Sequence, residues 1–149
     1  MKISTRVEYG LLALTDIAIY SKKDASVSSA DIAERQSISQ KYLEQIMLAL
    51  RQGGFVKGQK GSHGGYQLSR PANKIFLSEI LNALDNSILA DSRDPDDEQS
   101  NDIRESVNTC LWDKLNGYMR RFTENMSLAD LIRECKSDSK DSGNLMYYI

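Results

Sequence analysis

The chain is poor in the residues that mark several classes of protein. Its 149 residues include only two prolines and nine glycines, which argues against a loop-rich β-protein or a disordered chain. No apolar run reaches the roughly 18–20 residues that a membrane span needs. The apolar segment 9–20 is interrupted by Asp16, as in a packed helix and unlike a secretion signal. We therefore expect a cytoplasmic protein without a membrane segment.

Patterns typical of catalysis and of metal binding are also missing. The sequence has no phosphate loop of the Gly-x-x-x-x-Gly-Lys type, no nucleophile–base pair in a glycine-bounded motif and no metal-ligand spacing. His63 is the only histidine, and a surface position or a phosphate contact explains it better than a metal ligand or a catalytic base. These absences disfavour an enzyme, and we expect no bound metal.

Charge is distributed unevenly along a chain whose net charge is only −2. Residues 1–74 hold 11 Lys/Arg and 6 Asp/Glu, a net of +5, whereas residues 75–149 hold 8 and 15, a net of −7. Residues 35–70 contain six basic side chains and one acid, Glu44. A basic surface beside an acidic one can bind a polyanion locally.

Hydrophobic periodicity predicts three helices in the first half of the chain, over residues 7–23, 28–36 and 39–52. Ser28 and Ser39 are the predicted N-caps of the second and third helices. Two short stretches, 55–60 and 66–69, then flank a glycine-rich turn and predict a β-hairpin. A further helix is predicted over 78–84 with Ser78 as its N-cap.

The second half of the chain begins with an acidic loop. Residues 91–102 are polar and contain a proline. A long helix is predicted over 102–125, because its apolar residues recur at intervals of three or four. A last helix starts at Ser127, and a polar run over 136–143 precedes an apolar end.

A short helix, a three-residue break, an amphipathic helix and a basic hairpin follow each other in the order of a winged helix-turn-helix. The predicted fold class is mostly α with a small β-hairpin. The polar face of the third helix fits the major groove of DNA, and the small hairpin tip can approach the minor groove or the backbone. The candidate DNA-contacting residues are Gln40, Lys41, Tyr42, Glu44, Gln45, Lys60 and His63.

Each of these features also has a simpler interpretation. A polar helix face is often only solvated, and glycines at a hairpin tip often serve only the turn. A winged helix can also be a protein-interaction module. The basic excess of residues 35–70, combined with the order of the elements, favours double-stranded DNA as the partner.

Three segments resemble the marks of the Rrf2 family of transcriptional regulators. They are MKISTRVEYGL at 1–11, SQKYLEQI at 39–46 and KGSHGGYQL at 60–68. The resemblance covers nearly the whole chain and implies a homodimer on a pseudo-palindromic operator, with repression as the expected mode. It also implies that Ser39, Tyr42 and Glu44 lie at the recognition helix and Lys60 in the wing. Family members often have arginine at the wing position, and lysine lacks its planar fork.

The resemblance also divides the chain into regions. It implies a winged helix-turn-helix DNA-binding domain at 1–85, an acidic loop at 86–101, dimerisation helices at 102–136 and a polar tail with an apolar C-terminus at 137–149. The apolar stripe of the predicted long helix is wide enough to pack both on its own domain and on a partner.

The sequence defines the signal that such a regulator would sense less clearly than it defines DNA binding. Cluster-binding members place three cysteines before the long helix, but residues 88–109 contain none, and only Cys110 resembles the last of the three. An iron–sulfur cluster normally takes four protein ligands, so we expect no cofactor. The simplest interpretation of Cys110 and Cys135 is two reduced core residues. A redox-sensing thiol, or a cluster shared by two subunits, remains an alternative.

The end of the chain resembles that of the cysteine-metabolism repressors of the family. The resemblance rests on Met146, Tyr147, Tyr148 and Ile149. It implies that cysteine synthase is a partner, since terminal residues can be captured in a pocket. The alternative is that these residues cover the dimer core.

Overall fold

The computed structural model describes residues 3–21, 23, 25–61, 64–91 and 101–146, with side chains up to Ser139. It confirms the prediction of a mostly helical fold with a two-stranded antiparallel hairpin. None of the described helices is long and apolar enough to cross a membrane. The elements are α1 (Thr5–Tyr20), α2 (Ser29–Gln36), α3 (Gln40–Gln52), β1 (Val56–Gln59), β2 (Gly65–Leu68), a 3-10 turn (Ala72–Lys74), α4 (Leu77–Leu84), α5 (Asp102–Val107), a π-helical turn (Asn108–Trp112), α6 (Asp113–Asn125) and α7 (Leu128–Met146).

Serine side chains begin the first three helices. The hydroxyl of Ser28 accepts a hydrogen bond from the Asp31 amide at 3.1 Å, and that of Ser39 accepts from the Tyr42 amide at 3.2 Å. Both predicted N-caps are confirmed. Between α2 and α3, Ser37 has the left-handed φ of 54° and Ile38 is buried. The turn between the two helices is therefore short and fixed by packing.

The core is formed mainly where α1, α3 and α4 meet. Gly10 of α1 allows a close contact with α4, because a Cβ built there would lie 2.4 Å from Leu84 Cδ1. Leu128 of α7 belongs to the same core although it follows more than forty residues later in the chain. The largest fully buried apolar side chains are Leu14, Ile17, Ile32, Leu43, Ile46, Met47, Leu50, Ile75, Ile80 and Leu128.

The hairpin is anchored to the segment before α2. In the hairpin, Val56 pairs with Leu68 and Gln59 with Gly65. Val27 exchanges two backbone hydrogen bonds with Tyr66, of 2.9 and 2.7 Å. This third strand-like segment holds the hairpin against the start of α2.

The predicted N-cap of α4 is wrong. The helix starts at Leu77, one residue before the predicted start at Ser78. Its first turn is closed by the Phe76 amide, which donates to Glu79 Oε2 at 2.9 Å. Phe76 also bridges to Ser127, so an extended pairing fixes the residue before the helix and Ser78 lies inside the helix.

The predicted long helix is confirmed in its bounds, since α5, the π-helical turn and α6 follow each other without a gap. One side of α6 packs on α4 and buries Thr123. Arg120 donates to the carbonyl of Leu89 at 2.9 Å. The last helix, α7, is capped by Ser127, which accepts from the Asp130 amide at 3.1 Å. It continues to Met146 through the polar segment in which the sequence shows no apolar period.

Candidate DNA interface

Helix α3 has one anchored face and one exposed face. Five apolar residues of this helix are buried in the core: Leu43, Ile46, Met47, Ala49 and Leu50. The polar residues lie on the other face. The exposed predicted DNA contacts on this helix are Gln40, Lys41, Glu44 and Gln45. A helix so anchored presents an amide, an ammonium and a carboxylate to solvent from its first two turns, and these groups can bond to base edges and phosphates.

Two of the predicted DNA contacts also have a structural role. Ser39 is the N-cap of α3. Tyr42 is half-buried, and its ring packs edge-on against Tyr9 of α1, with centroids 5.7 Å apart and planes at 74°. The beginning of α3 is therefore held both by its cap and by a contact between aromatic rings.

An ion pair between a buried carboxylate and a partly exposed arginine joins α1 to the last turn of α2. The side chain of Asp16 is completely buried, and Arg35 binds it through Nε at 2.9 Å and through a terminal nitrogen at 2.8 Å. Gln36 donates to the same carboxylate at 2.8 Å. The hydrogen bond to Asp16 raises the pKa of Arg35 against the opposing effect of burial. The pair fixes the end of α2 immediately before the turn that leads into α3.

A cation–π contact of Arg35 adds to this ion pair, and we call the two interactions together the Asp16–Arg35 clamp. Its guanidinium lies over the ring of Tyr20, 4.1 Å from the ring centre. Sequence reasoning missed the clamp, although one signal was visible: Asp16 is the only charged residue in the apolar segment 9–20. A buried carboxylate requires a partner, but the sequence does not show which cation supplies it.

The wing begins where β1 ends. Lys60 follows the strand directly and is exposed, and Gly61 adopts a φ of 116°, a conformation that favours glycine. A hydrogen bond of 3.2 Å between the Gln59 and Gln67 side chains supports the strands. His63 lies outside the described residues. The predicted DNA contacts are thus carried by two separate elements, α3 and the wing.

A row of apolar side chains lies exposed along α5, the π-helical turn and α6. We call it the apolar stripe. Ile103 is 78% exposed and Tyr118 is 63% exposed. Large apolar groups arranged in a continuous row mark an interaction surface. The stripe consists of Ile103, Val107, Leu111, Leu115, Tyr118 and Phe122.

Both cysteines are exposed, so the interpretation of them as core residues is wrong. Cys110 lies in the π-helical turn and Cys135 on α7. An iron–sulfur cluster takes four protein ligands, mostly thiolates, and the chain has two cysteines. Among the described residues, no group of three His, Cys, Asp or Glu side chains is placed to hold a metal ion. The residues of one chain therefore do not fit a cluster with four thiolate ligands.

The predicted partner-binding residues Tyr147, Tyr148 and Ile149 lie outside the described residues.

Comparisons with known proteins agree with this architecture. The family profile described as "Rrf2: Iron-dependent Transcriptional regulator" matches residues 3–134. The chain is 35% identical over 136 residues to the HTH-type transcriptional regulator IscR of Cereibacter sphaeroides, covering 89% of the chain and 88% of the relative. It is 33% identical over 145 residues to Protein rrf2 of Nitratidesulfovibrio vulgaris, covering 97% and 96%.

A solved structure is similar as well. CymR, the global cysteine regulator of B. subtilis, superposes with a TM-score of 0.76 at 28% identity, covering 90% of this chain and 98% of that one. The family profile and the IscR relative are both described as transcriptional regulators. Because the family profile and the relatives span nearly the whole chain, the protein belongs to the Rrf2 family of DNA-binding transcriptional regulators.

Proposed function

We propose that the protein is a cytoplasmic, homodimeric repressor that binds a pseudo-palindromic operator. In this proposal residues 1–85 bind DNA and 102–136 form the dimer. The proposal of DNA binding rests on the two faces of α3. One face is buried in the core, and the other exposes Gln40, Lys41, Glu44 and Gln45. Such a helix can enter the major groove without loss of core packing.

The exposed groups of α3 divide into two kinds. Lys41 carries a positive charge and suits phosphates, which position a protein on DNA but carry no sequence information. The ionised carboxylate of Glu44 accepts hydrogen bonds but donates none, so among base edges it suits the amino group of cytosine. Glu44 is also the single acid among residues 35–70. An acid on a surface that binds a polyanion costs affinity, and base recognition is a reason for its presence.

Replacing Glu44 by alanine is expected to relax base preference at one position in each half-site. The expected loss is about 1–3 kcal/mol of discrimination between the preferred and other base pairs. Binding to unrelated DNA is expected to stay equal or to become tighter, because a negative charge is removed. Selection from a randomised operator pool, followed by affinity measurements on single-base variants, checks this.

Glu34→Ala is the matched control, since Glu34 is an exposed acid on α2, outside the recognition helix. It removes the same charge and should leave the base preference unchanged. A Glu44→Ala protein with the base preference of the natural chain would mean that Glu44 does not contact a base edge.

The proposal of a homodimer rests on the apolar stripe. A single copy of the chain leaves these six side chains in water, at a free-energy cost of about 25 cal/mol per Å² of apolar surface. A second copy related by a two-fold axis would cover the same stripe on both subunits. It would also set two recognition helices about one turn of DNA apart.

We propose cysteine metabolism as the pathway that the protein regulates. The similarity to CymR, described as a global cysteine regulator, supports it. The resemblance of the segment Tyr147, Tyr148 and Ile149 to the ends of cysteine-metabolism repressors adds cysteine synthase as the proposed partner.

Deleting Tyr148 and Ile149 is expected to abolish binding of cysteine synthase and to leave the dimer intact. Both properties can be read by analytical ultracentrifugation of the regulator alone and mixed with the enzyme. Lys140→Ala, in the preceding polar segment, serves as a control that should keep binding. Unchanged binding by the deleted chain would contradict this partner, and dissociation of its dimer would indicate that the segment covers the dimer core.

A further inference from the structure

We propose that a groove between the wing, the start of α2 and the end of α3 binds a backbone phosphate of the DNA. The inference rests on the proposed DNA-binding function and adds a site to it. The groove has a volume of about 390 Å³. It is lined by Ser28, Ser29, Arg51, Gly58, Gln59, Lys60, Gly64, Gly65 and Tyr66. We call it the wing groove.

The charge of the wing groove is positive. Arg51 comes from the last turn of α3 and Lys60 from the wing, so two different elements bring a cation to one groove. Both side chains are exposed. No acidic residue is among the described residues that line it. Two converging cations without an acid favour a bound anion.

The wing groove also has polar groups that suit a phosphodiester. Ser29 is the first residue of α2, and its hydroxyl lies at the positive end of that helix. Gly64 and Gly65 line the same groove without side-chain bulk. The chemistry is therefore that of an oxyanion held by cations and a hydroxyl.

Gly58 provides an independent indication that a ligand comes close. It lies within strand β1, where glycine weakens a strand. Neither backbone nor packing requires it there: its φ is not positive, and a Cβ built on it would meet only Tyr66 Cε1, at 3.9 Å. Gly65, by contrast, is required by the fold, because a Cβ there would lie 2.4 Å from the Val27 carbonyl oxygen. A glycine that the fold does not need leaves room for a ligand.

Double-stranded DNA is the source of phosphate that the observations favour. The groove shares Lys60 with the wing and Arg51 with the recognition helix. A strand that runs beside a recognition helix presents phosphates at regular short intervals. A phosphate in the wing groove would fix the distance between helix and wing on the duplex.

The test compares three variants of the full chain on two duplexes, one with the operator and one with an unrelated sequence. Arg51→Gln removes one cation from the groove, and Gly58→Val fills it. Lys74→Gln removes another exposed cation, from the 3-10 turn outside the groove. Binding is measured over a salt series, and the free energy of unfolding is measured for each protein.

For Arg51→Gln we expect binding to both duplexes to weaken by about tenfold per protomer. The slope of log affinity against log salt should fall by about 0.9 per protomer. Gly58→Val should weaken DNA binding while keeping or raising stability, since valine favours a strand. A loss of stability alone would not produce that combination. Lys74→Gln should bind like the natural chain.

Three results would overturn the inference. The first is natural affinity and slope for both Arg51→Gln and Gly58→Val. The second is weakening on the operator only, which would mean that Arg51 reads a base. The third is weakening by Lys74→Gln as large as that by Arg51→Gln. If the natural chain itself binds neither duplex, it is the proposed function that fails.

Discussion

Replacing Arg35 by methionine is expected to lower the free energy of unfolding by about 2–3 kcal/mol, because it leaves the buried carboxylate of Asp16 without its cation. The substitution leaves the carboxylate of Asp16 in the core with Gln36 as its remaining side-chain donor among the residues that the structure describes. Asp16 has a side-chain exposure of 0%, so the substitution removes the cation from a carboxylate that the protein encloses. Because domains are stable by about 5–15 kcal/mol, the loss is a large part of the total. Urea unfolding at one fixed protomer concentration measures it.

The two partners of this pair are not equivalent. Arg35 is 32% exposed, so removal of its partner leaves a cation that water can reach. Asp16→Asn keeps the side-chain shape and is expected to cost less, about 1–2 kcal/mol. The order of the two losses distinguishes a buried uncompensated charge from a simple loss of one contact.

Arg133→Met is the matched control for the same chemical change. Arg133 pairs with Asp130 on α7 and is 74% exposed, so its loss is expected to cost no more than about 1 kcal/mol. Equal losses for Arg35→Met and Arg133→Met would contradict the stabilising role of the Asp16–Arg35 pair.

Replacing Leu115 by lysine is expected to dissociate the proposed dimer. Leu115 is near the middle of the apolar stripe, and an unpaired ammonium placed in an apolar contact would cost several kcal/mol. The dimer dissociation constant should rise by about a hundredfold or more. Operator affinity should fall with it, because a monomer reaches only one half-site. Sedimentation equilibrium and operator titration measure the two effects.

Glu124→Lys places the same cation on the other side of α6. It is nine positions after Leu115, about two and a half helical turns, and it is exposed. This variant should remain dimeric. Leu115→Lys should remain folded, since Leu115 is already 43% exposed in the single chain. A folded Leu115→Lys protein with the mass of a dimer would place the interface elsewhere.

Local features of the fold could be predicted from the sequence. Ser28 and Ser39 begin their helices as predicted, because an N-cap depends only on groups three residues apart. The long helix has the predicted bounds because its apolar repeat is strong. Both signals lie within short stretches of chain.

Features that depend on tertiary contacts could not be predicted in this way. Asp16 and Arg35 are 19 residues apart, and nothing local connects them. Arg51 lines the wing groove because α3 packs beside the hairpin. In the sequence it is one of six basic residues between positions 35 and 70, and nothing local distinguishes it from the others. Phe76 replaces a serine cap because Ser127 pairs with it from a distant part of the chain.

The π-helical turn Asn108–Trp112 determines the angular phase of the apolar stripe. Ile103, Val107, Leu111 and Leu115 are four residues apart. In a regular α-helix each four-residue step rotates about 40° more than one full turn. Three such steps would therefore carry the row about 120° around the helix axis. The π-helical turn contains one residue more than an α-helical turn. It therefore rotates the following segment back by about 100° relative to the preceding one.

The row therefore stays nearly straight along the helix axis. Two straight rows can touch over the whole of about 30 Å, whereas two winding rows would meet only where the helices cross. A regular α-helix that kept all the residues of the turn would rotate the two halves of the row about 100° apart, whereas removing one residue from the turn would restore a regular helix and keep the halves in phase. The extra residue at Asn108–Trp112 thus acts as a correction of phase, and it makes a four-residue repeat usable as one continuous contact surface.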